Sequence, residues 1–163
     1  MLNINAIIIS IAFISLIINS AIAEEIVFPK TEQEIVRALS LKRGLGKSVK
    51  IRPKACAKVQ FDYNSYEIKK ESYPLLDEFG KALKGGLDGI NITIIGHTDD
   101  KGDGKYNMDL SLKRASAVKR YLVEKQGISS ERLKIKGKGE EEPIAPNDNK
   151  EGSAKNRRVE FVR

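Results

Sequence analysis

The stretch GINITIIGHTDDKGDGKYNMDLSLKRA (Gly89–Ala115) decides how this chain folds. Within it, Ile90–Ile95 is apolar at nearly every position, which is typical of a central strand covered on both faces. A loop dense in Asp, Gly and Lys follows. From about Asn107 to Gln126 the pattern becomes that of an amphipathic helix, which Gly127 ends. This order predicts an α/β unit whose charged loop follows the end of a buried strand.

Similar patterns on both sides complete a small domain. Val59, Phe61 and Tyr63 alternate with polar residues and predict a half-buried first strand. Further patterns predict a helix opened by Ser72 and Pro74, a strand at 133–137, a short helix and a last strand at 158–162. The order β-α-β-α-β-(α)-β predicts an α/β fold, an α+β sandwich with a small mixed four-stranded sheet and helices packed on one face.

The amino-terminal segment has the features of a secretory leader. The first 23 residues contain no Lys, Arg, Asp or Glu, and Ala6–Ile18 is an apolar run. Ala21 and Ala23 give the A-x-A pattern of a cleavage site. Because the apolar run is shorter than the roughly 20 residues of a spanning helix, we predict a signal peptide at 1–23. An uncleaved membrane anchor is the alternative.

Residues 24–57 form a basic amino-terminal arm ahead of the predicted domain. Thr31 and Glu34 have the spacing of a capping box, which predicts a short helix ended by Gly44. From Arg37 to Lys58 the sequence has eight basic residues and no acidic one. The whole chain has a net charge of +7. The Arg37–Lys58 segment is therefore either a solvated surface or a contact for anionic lipid head groups or cell-wall polymer.

The charged loop does not fit a calcium or phosphate site. When the EF-hand template begins at Asp99, Lys101 occupies a carboxylate position and Leu110 stands where a bidentate Glu is needed. The segment Gly96–Ala115 contains four acidic and four basic residues, so it lacks the net positive charge that a phosphate cradle favours. The sequence predicts no metal and no cofactor.

Cys56 and His97 are the only cysteine and the only histidine. A conventional zinc ligand set is therefore missing. Cys56 is expected to be a small buried residue, with an intermolecular disulfide as the alternative. His97 is expected to be a structural histidine with satisfied hydrogen bonds. Ser-His-Asp chemistry would need His97 as its base, but no nucleophile-elbow motif accompanies it.

A pair of opposite charges flanks the loop. The helical pattern places Arg114 beside the apolar stripe, near Leu110 and Val118, where an unpaired guanidinium is costly. Asp99 follows the end of the buried strand and is its natural neighbour. The two residues could form a structural ion pair, or each could also face a ligand. In the second interpretation Arg114 binds a carboxylate and Asp99 an ammonium, as in a zwitterionic amino acid end.

Five motifs together resemble the OmpA-like peptidoglycan-binding domain. They are VQFDYNSYEI (Val59–Ile68), GHTDDKG (Gly96–Gly102), YNMDLSLKRASAV (Tyr106–Val118), GKGEEEPIAPN (Gly137–Asn147) and EGSAKNRRVEF (Glu151–Phe161). The resemblance covers 58–163, the predicted OmpA-like domain. It implies non-enzymatic binding of the bacterial cell wall through the diaminopimelate residue of its peptide stems.

The resemblance also implies a set of site residues. Asp99 and Arg114 match the principal ligands of the family, the same pair that the charge argument isolates. Asn107 matches an Asn before the helix, where a helix cap is the more usual role. Of Arg157 and Arg158, we expect Arg158 to frame the pocket, with an ion pair at the sheet edge as the alternative. The candidate site is completed by Thr98, Asp62 and Tyr63.

Partners and location follow from the same resemblance. It implies peptidoglycan as the partner and a place in the periplasm or at the outer membrane. The basic arm could contact outer-membrane proteins or anionic lipid, a homodimer is a further option, and no nucleic acid is expected. Two alternative functions stay open: an electrostatic envelope adhesin acting through the arm, and a wall-peptide hydrolase using His97 and Asp99. Ser153 departs from the family, which commonly has Arg there.

Overall fold

The computed structural model describes residues 26–40, 52–62 and 64–163. The predicted signal peptide at 1–23, residues 41–51 of the basic arm and the candidate site residue Tyr63 lie outside the described residues. Within these ranges, no helix combines the length and the apolar character that crossing a membrane requires.

Four helices and four strands make up the described domain. In chain order they are α1 (Glu32–Ser40), β1 (Lys54–Ala57), α2 (Tyr73–Lys84), β2 (Ile92–Gly96), α3 (Gly104–Glu124), β3 (Leu133–Gly137), α4 (Lys150–Asn156) and β4 (Val159–Val162). Short 3-10 turns precede α2 at Lys70–Ser72 and β3 at Ser130–Arg132. The predicted α+β fold with a mixed four-stranded sheet is confirmed.

The strand order across the sheet is β1-β4-β2-β3. Strand β4 is antiparallel to both β1 and β2, whereas β2 and β3 are parallel and joined by the crossover helix α3. Because side chains alternate along a strand, Ala55, Phe161 and Ile94 line up on the same face. The ring of Phe161 stacks on Phe79 of α2, with centroids 3.9 Å apart. This face of the sheet and the helices enclose the core.

The first strand lies earlier in the chain than the sequence pattern predicts. The alternating segment around Phe61 forms only an isolated bridge to Ile68, and the strand that pairs with β4 is β1. Ala55, Cys56 and Ala57 are all buried in β1, but they are too small to give a recognisable hydrophobic pattern. As a result, residues 64–68 form a loop that lies beside α3, where Ser65 accepts a hydrogen bond from Arg114.

Helix α1 packs onto the domain. The predicted capping box is confirmed, because the Glu34 N–H donates to Thr31 Oγ1 and the Thr31 N–H donates to the Glu34 carboxylate, both at 3.3 Å. Ile35 and Leu39 are fully buried and belong to the same hydrophobic cluster as the sheet and the other helices. The described part of the basic arm therefore contributes to the core.

Helix α3 approaches the sheet closely because Gly96 and Gly137 have no side chain. A Cβ at Gly96 would overlap the carbonyl oxygen of Ser111, and one at Gly137 would lie 2.7 Å from Ser111 Oγ. We expect Gly96→Ala to lower the free energy of unfolding by about 3 kcal/mol, since backbone must move. Urea denaturation measures this. In the control Gly104→Ala, the nearest atom to the added Cβ is Glu140 Oε1 at 3.8 Å, an ordinary contact, so this change should cost nothing. Equal losses at both positions would contradict the close-approach argument.

Candidate functional site

A cleft of about 520 Å³ opens at the carboxyl end of β2. The loop after β2, the first turns of α3, the segment after β1 and the residue two before β4 line it. The predicted site residues that line this cleft are Asp62, Thr98, Asp99, Asn107 and Arg114. The close contact between α3 and the sheet fixes the relative positions of the helix and the strand end, so the two halves of the cleft are held by the core.

The amino terminus of α3 forms one wall of the cleft. The Asp103 carboxylate accepts hydrogen bonds from the backbone N–H groups of Lys105 at 2.9 Å and Tyr106 at 3.2 Å. Asp103 is therefore the N-cap, and α3 begins at Gly104, three residues earlier than predicted. The proposed capping role for Asn107 is wrong, because Asn107 lies inside the first turn of the helix.

Asn107 ties the charged loop to the helix. It is buried, and its Nδ2 donates to the carbonyl oxygen of Lys101 at 3.1 Å and to the Glu140 carboxylate at 2.6 Å. The first bond holds the loop after β2, and the second holds the connection after β3. Asn107 therefore links the loop after β2 and the connection after β3 to helix α3.

Asp99 is 8% exposed and makes an ion pair inside the cleft. Its Oδ2 accepts from Arg157 Nη1 at 2.6 Å. The direct Asp99–Arg114 ion pair considered from the sequence is not formed among the described residues, since Arg157 takes that place. No donor in the described part of the chain bonds to Oδ1 of Asp99, so this carboxylate keeps an acceptor for a ligand.

Arg114 is also 8% exposed, as its place on the helix predicted. Its guanidinium lies over the Phe61 ring, with Cζ 4.8 Å from the ring centroid, and Nε donates to the Ser65 carbonyl oxygen at 3.2 Å. Burial lowers the pKa of Arg114, opposed by the charges of Tyr106 and Asp99, but an arginine remains cationic at neutral pH. Neither Nη group hydrogen-bonds to a described residue, so a two-pronged donor is available.

Arg157 lies at the cleft, where Arg158 was expected, and Arg158 lies elsewhere. Arg157 lines the cleft with its side chain 45% exposed. Arg158 is buried away from the cleft, where Nε and Nη2 donate to Glu160 Oε1 at 2.9 and 2.7 Å. Neighbouring residues in an extended chain point to opposite sides. The sequence signal that was missed is the i, i+2 spacing of Arg158 and Glu160, which puts opposite charges on one face.

His97 is the first residue after β2. It is 1% exposed, and neither ring nitrogen hydrogen-bonds to any residue in the described ranges. Its Nε2 lies 3.8 Å from Glu160 Oε2. His97 follows the end of β2, as predicted, but the satisfied hydrogen bonds expected of a structural histidine are not formed with any described residue. His97 does not line the cleft, and across the described ranges no three His, Cys, Asp or Glu side chains are grouped to hold a metal.

Cys56 lies on the same side of the sheet as Glu160. It is 1% exposed, and its Sγ is 3.7 Å from Glu160 Oε1. Burial, and next the charge of Glu160, raise the pKa of the Cys56 thiol to about 12. The expectation of a small buried residue is confirmed. An intermolecular disulfide is not compatible with this burial, because a second chain cannot reach the sulfur.

The fold and the cleft together define a small α+β domain whose cleft contains a nearly buried acid, Asp99, and a nearly buried base, Arg114. The chain belongs to the OmpA family, whose model matches residues 60–157. It is 43% identical over 101 residues to the peptidoglycan-associated lipoprotein of Pseudomonas aeruginosa, covering 62% of this chain and 58% of that protein. It is 44% identical over 101 residues to outer membrane protein A of Bordetella avium, covering 62% and 51%. The chain thus spans little more than half the length of these relatives.

Solved structures agree with this assignment. The crystal structure of the peptidoglycan-associated lipoprotein from Burkholderia pseudomallei aligns with a TM-score of 0.58 at 34% identity, covering 64% of this chain and 86% of that one. The cell wall anchor of the T6SS from Pseudomonas aeruginosa aligns with a TM-score of 0.61 at 26% identity, covering 82% and 96%. The resemblance drawn from the sequence motifs is confirmed. The family is one of non-catalytic envelope domains, in agreement with the prediction of a non-enzymatic protein.

Proposed function

We propose that this protein binds the peptidoglycan of the bacterial cell wall non-covalently, through the cleft at the end of β2. One observation carries the proposal: Asp99 Oδ1 and the two Nη groups of Arg114 belong to the same cleft without a described protein partner. A nearly buried acid and a nearly buried base with open hydrogen-bonding positions fit a ligand that brings both charges. The names of the relatives, a peptidoglycan-associated lipoprotein and a cell wall anchor, support the same partner.

The ligand group that fits is the zwitterionic end of an amino acid. The planar guanidinium of Arg114 matches a carboxylate with two parallel hydrogen bonds, and Asp99 Oδ1 can accept from an ammonium. Thr98 also lines the cleft, and its buried Oγ1 has no hydrogen-bond partner in the described ranges. A free diaminopimelate end in the wall peptide presents an ammonium and a carboxylate on one carbon. We therefore assign diaminopimelate as the bound residue.

Arg157 orients the Asp99 carboxylate. Its short ion pair with Asp99 Oδ2 fixes the carboxylate, so Oδ1 is the oxygen that remains for the ligand. Asp62 lies on the opposite wall, where its side chain is 62% exposed and pairs with Lys69 at 3.3 Å. An exposed pair of this kind contributes little, so we give Asp62 a secondary role. Arg158 is not part of the proposed site, because its side chain is buried against Glu160 and does not line the cleft.

The proposal includes a location and a role. The protein would be exported by its leader at 1–23 and would act in the periplasm, at the outer membrane, where it tethers or organises the envelope through the wall. The basic residues between Arg37 and Lys58 would add a contact with anionic lipid. Binding through this segment alone would fall steeply with added salt, whereas a pocket that holds one zwitterion would lose less.

The test is co-sedimentation of the leaderless chain with purified peptidoglycan. Asp99→Asn removes the charge that pairs with the ammonium, so we expect the association constant to fall about 10- to 100-fold, since a charged hydrogen bond contributes roughly 1.5–3 kcal/mol. The matched control Asp100→Asn changes an exposed neighbour and should bind normally. Free meso-diaminopimelate should compete, and lysine-type wall should bind weakly.

Two results would contradict the proposal. Full retention of the folded Asp99→Asn variant would show that the cleft is not the site. Equal binding of diaminopimelate-type and lysine-type wall would reject the diaminopimelate assignment, while leaving wall binding in place.

A further inference from the structure

The four tyrosines in the described part of the chain lie along one side of α3. Tyr106 lines the cleft, and its hydroxyl donates to Asn64 Oδ1 across the opening. Tyr66 is on the loop beside the helix. Tyr106 and Tyr66 are 44% and 45% exposed, among the most exposed large hydrophobic side chains that the structure describes. Tyr73 and Tyr121 lie further along, towards the carboxyl end of α3.

Tyr73 and Tyr121 form part of a second pocket, of about 320 Å³. Their rings are stacked, with centroids 5.0 Å apart and an angle of 21° between the planes. The Tyr121 hydroxyl donates to Asp77 Oδ1 at 2.7 Å, and Gln126 donates to the same oxygen at 2.6 Å. The aromatic wall of this pocket is therefore held rigidly. Its rim carries exposed groups of both signs, including Arg120 and Glu124.

The loop at residues 64–68 and helix α3 connect the two pockets. The loop touches the helix where Ser65 accepts from Arg114, and Tyr66 lies beside Lys113, whose Nζ is 6.0 Å from the ring centroid. Arg114 lines the cleft and Tyr121 the second pocket, on the same helix. At about 1.5 Å per residue the two positions are on the order of 10 Å apart along the axis, a span that linked sugar units can cover.

We propose that this tyrosine track, formed by Tyr106, Tyr66, Tyr73 and Tyr121, binds the sugar rings of the glycan strand whose peptide stem occupies the cleft. The inference rests on the proposed function and adds a glycan subsite to it. A pyranose ring has a face of C–H groups that packs on an aromatic ring, and its hydroxyls need polar partners at the edge. Tyrosine supplies an apolar face with a polar end, and Arg120 and Glu124 supply the edge.

The charge of the second pocket favours a neutral, hydroxyl-rich ligand. Its charged rim residues are two acidic and two basic, namely Glu67, Glu124, Arg120 and Lys125. A balanced rim gives no net attraction for an anionic lipid surface or a polyanion. Because the loop at residues 64–68 and helix α3 contribute side chains to both pockets, we assign both pockets to one ligand molecule. Peptidoglycan is such a molecule, since it joins a peptide stem to a sugar chain.

The experiment compares two soluble ligands by isothermal titration calorimetry: a stem peptide with a free diaminopimelate end, and the same peptide on its tetrasaccharide. We expect the wild-type leaderless chain to bind the glycopeptide about 10-fold more tightly, as one aromatic contact and one polar contact of about three-fold each would give. Tyr66→Ala and Arg120→Ala should each remove about three-fold of this preference and leave peptide affinity within about two-fold. Leu112→Ala, which removes a similarly exposed apolar side chain of α3 (41%), should change neither.

The possible results of this titration distinguish glycan binding by the tyrosine track from peptide binding in the cleft. If the wild-type chain binds peptide and glycopeptide equally, the track is wrong and the cleft stands. If Tyr66→Ala weakens both ligands by the same factor, Tyr66 acts on the cleft through its loop and the glycan subsite is also wrong. If the wild-type chain binds neither ligand, the proposed function itself fails.

Discussion

Arg114→Ala is expected to abolish retention of this protein on diaminopimelate-type peptidoglycan. The change removes both free Nη donors from the cleft, and two charge-assisted hydrogen bonds at roughly 1.5–3 kcal/mol each correspond to a loss of about 100-fold or more in affinity. Arg114→Lys keeps the charge but not the planar fork, so we expect it to recover only part of the binding. Co-sedimentation measures retention, and circular dichroism shows whether each variant is folded.

Arg132→Ala provides a matched control for charge and stability. Arg132 is at the other end of the sheet, before β3, where its guanidinium donates to the carbonyl oxygens of Leu83, Leu87 and Ile90. This variant loses the same charge and some stability but leaves the cleft intact, so it should still bind. Wall binding by folded Arg114→Ala, or its loss in folded Arg132→Ala, would disprove the assignment of the site.

Glu160→Ala is expected to cause the largest loss of stability, about 3–5 kcal/mol of unfolding free energy. Glu160 and Arg158 have side-chain exposures of 5% and 2%, so removal of the acid leaves a buried guanidinium without its anion. Urea denaturation measures the loss. Glu151→Ala breaks an exposed pair with Lys155 at 2.8 Å and should cost about 0.5 kcal/mol. Comparable losses for the two variants would contradict the argument.

The same residue predicts how stability depends on pH. Burial alone would raise the pKa of Glu160, but the neighbouring His97 ring and the Arg158 guanidinium lower it to about 2, from an ordinary 4.5. A carboxyl group with a depressed pKa stabilises the folded state above the unfolded pKa and loses this contribution as pH falls through the folded value. We expect about 3 kcal/mol to disappear between pH 5 and pH 2, and this acid sensitivity should be smaller in Glu160→Ala.

The sequence predicted the positions of site residues best where a repeating apolar pattern shows which face of a helix, or which end of a strand, a residue occupies. Arg114 could be placed on the flank of the apolar side of its helix, and Asp99 at the end of a buried strand, because both patterns repeat over many residues. The structure places both in one cleft. The partner of Asp99 could not be predicted, since choosing between Arg157 and Arg158 requires knowing which way the chain faces as it enters β4.

Long-range contacts account for the other differences. Small residues such as Ala55 give no recognisable strand pattern, and β1 becomes a strand only because β4 pairs with it from the far end of the domain. The contacts of Arg114 with Phe61 and Ser65 depend on a loop whose path the local sequence does not set. The buried His97 is near Glu160 for the same reason, because β2 and β4 bring the two together.

Strand β4 lies between β1 and β2 in the sheet, although it follows both of them, and β3, in the chain. Strand β1 and the β2–β3 pair are therefore joined only when β4 pairs with β1 and β2, and pairing of such distant segments gives a high contact order and slow folding. Arg157, just ahead of β4, reaches Asp99 in the same step, so the cleft is complete only once β4 has joined the sheet.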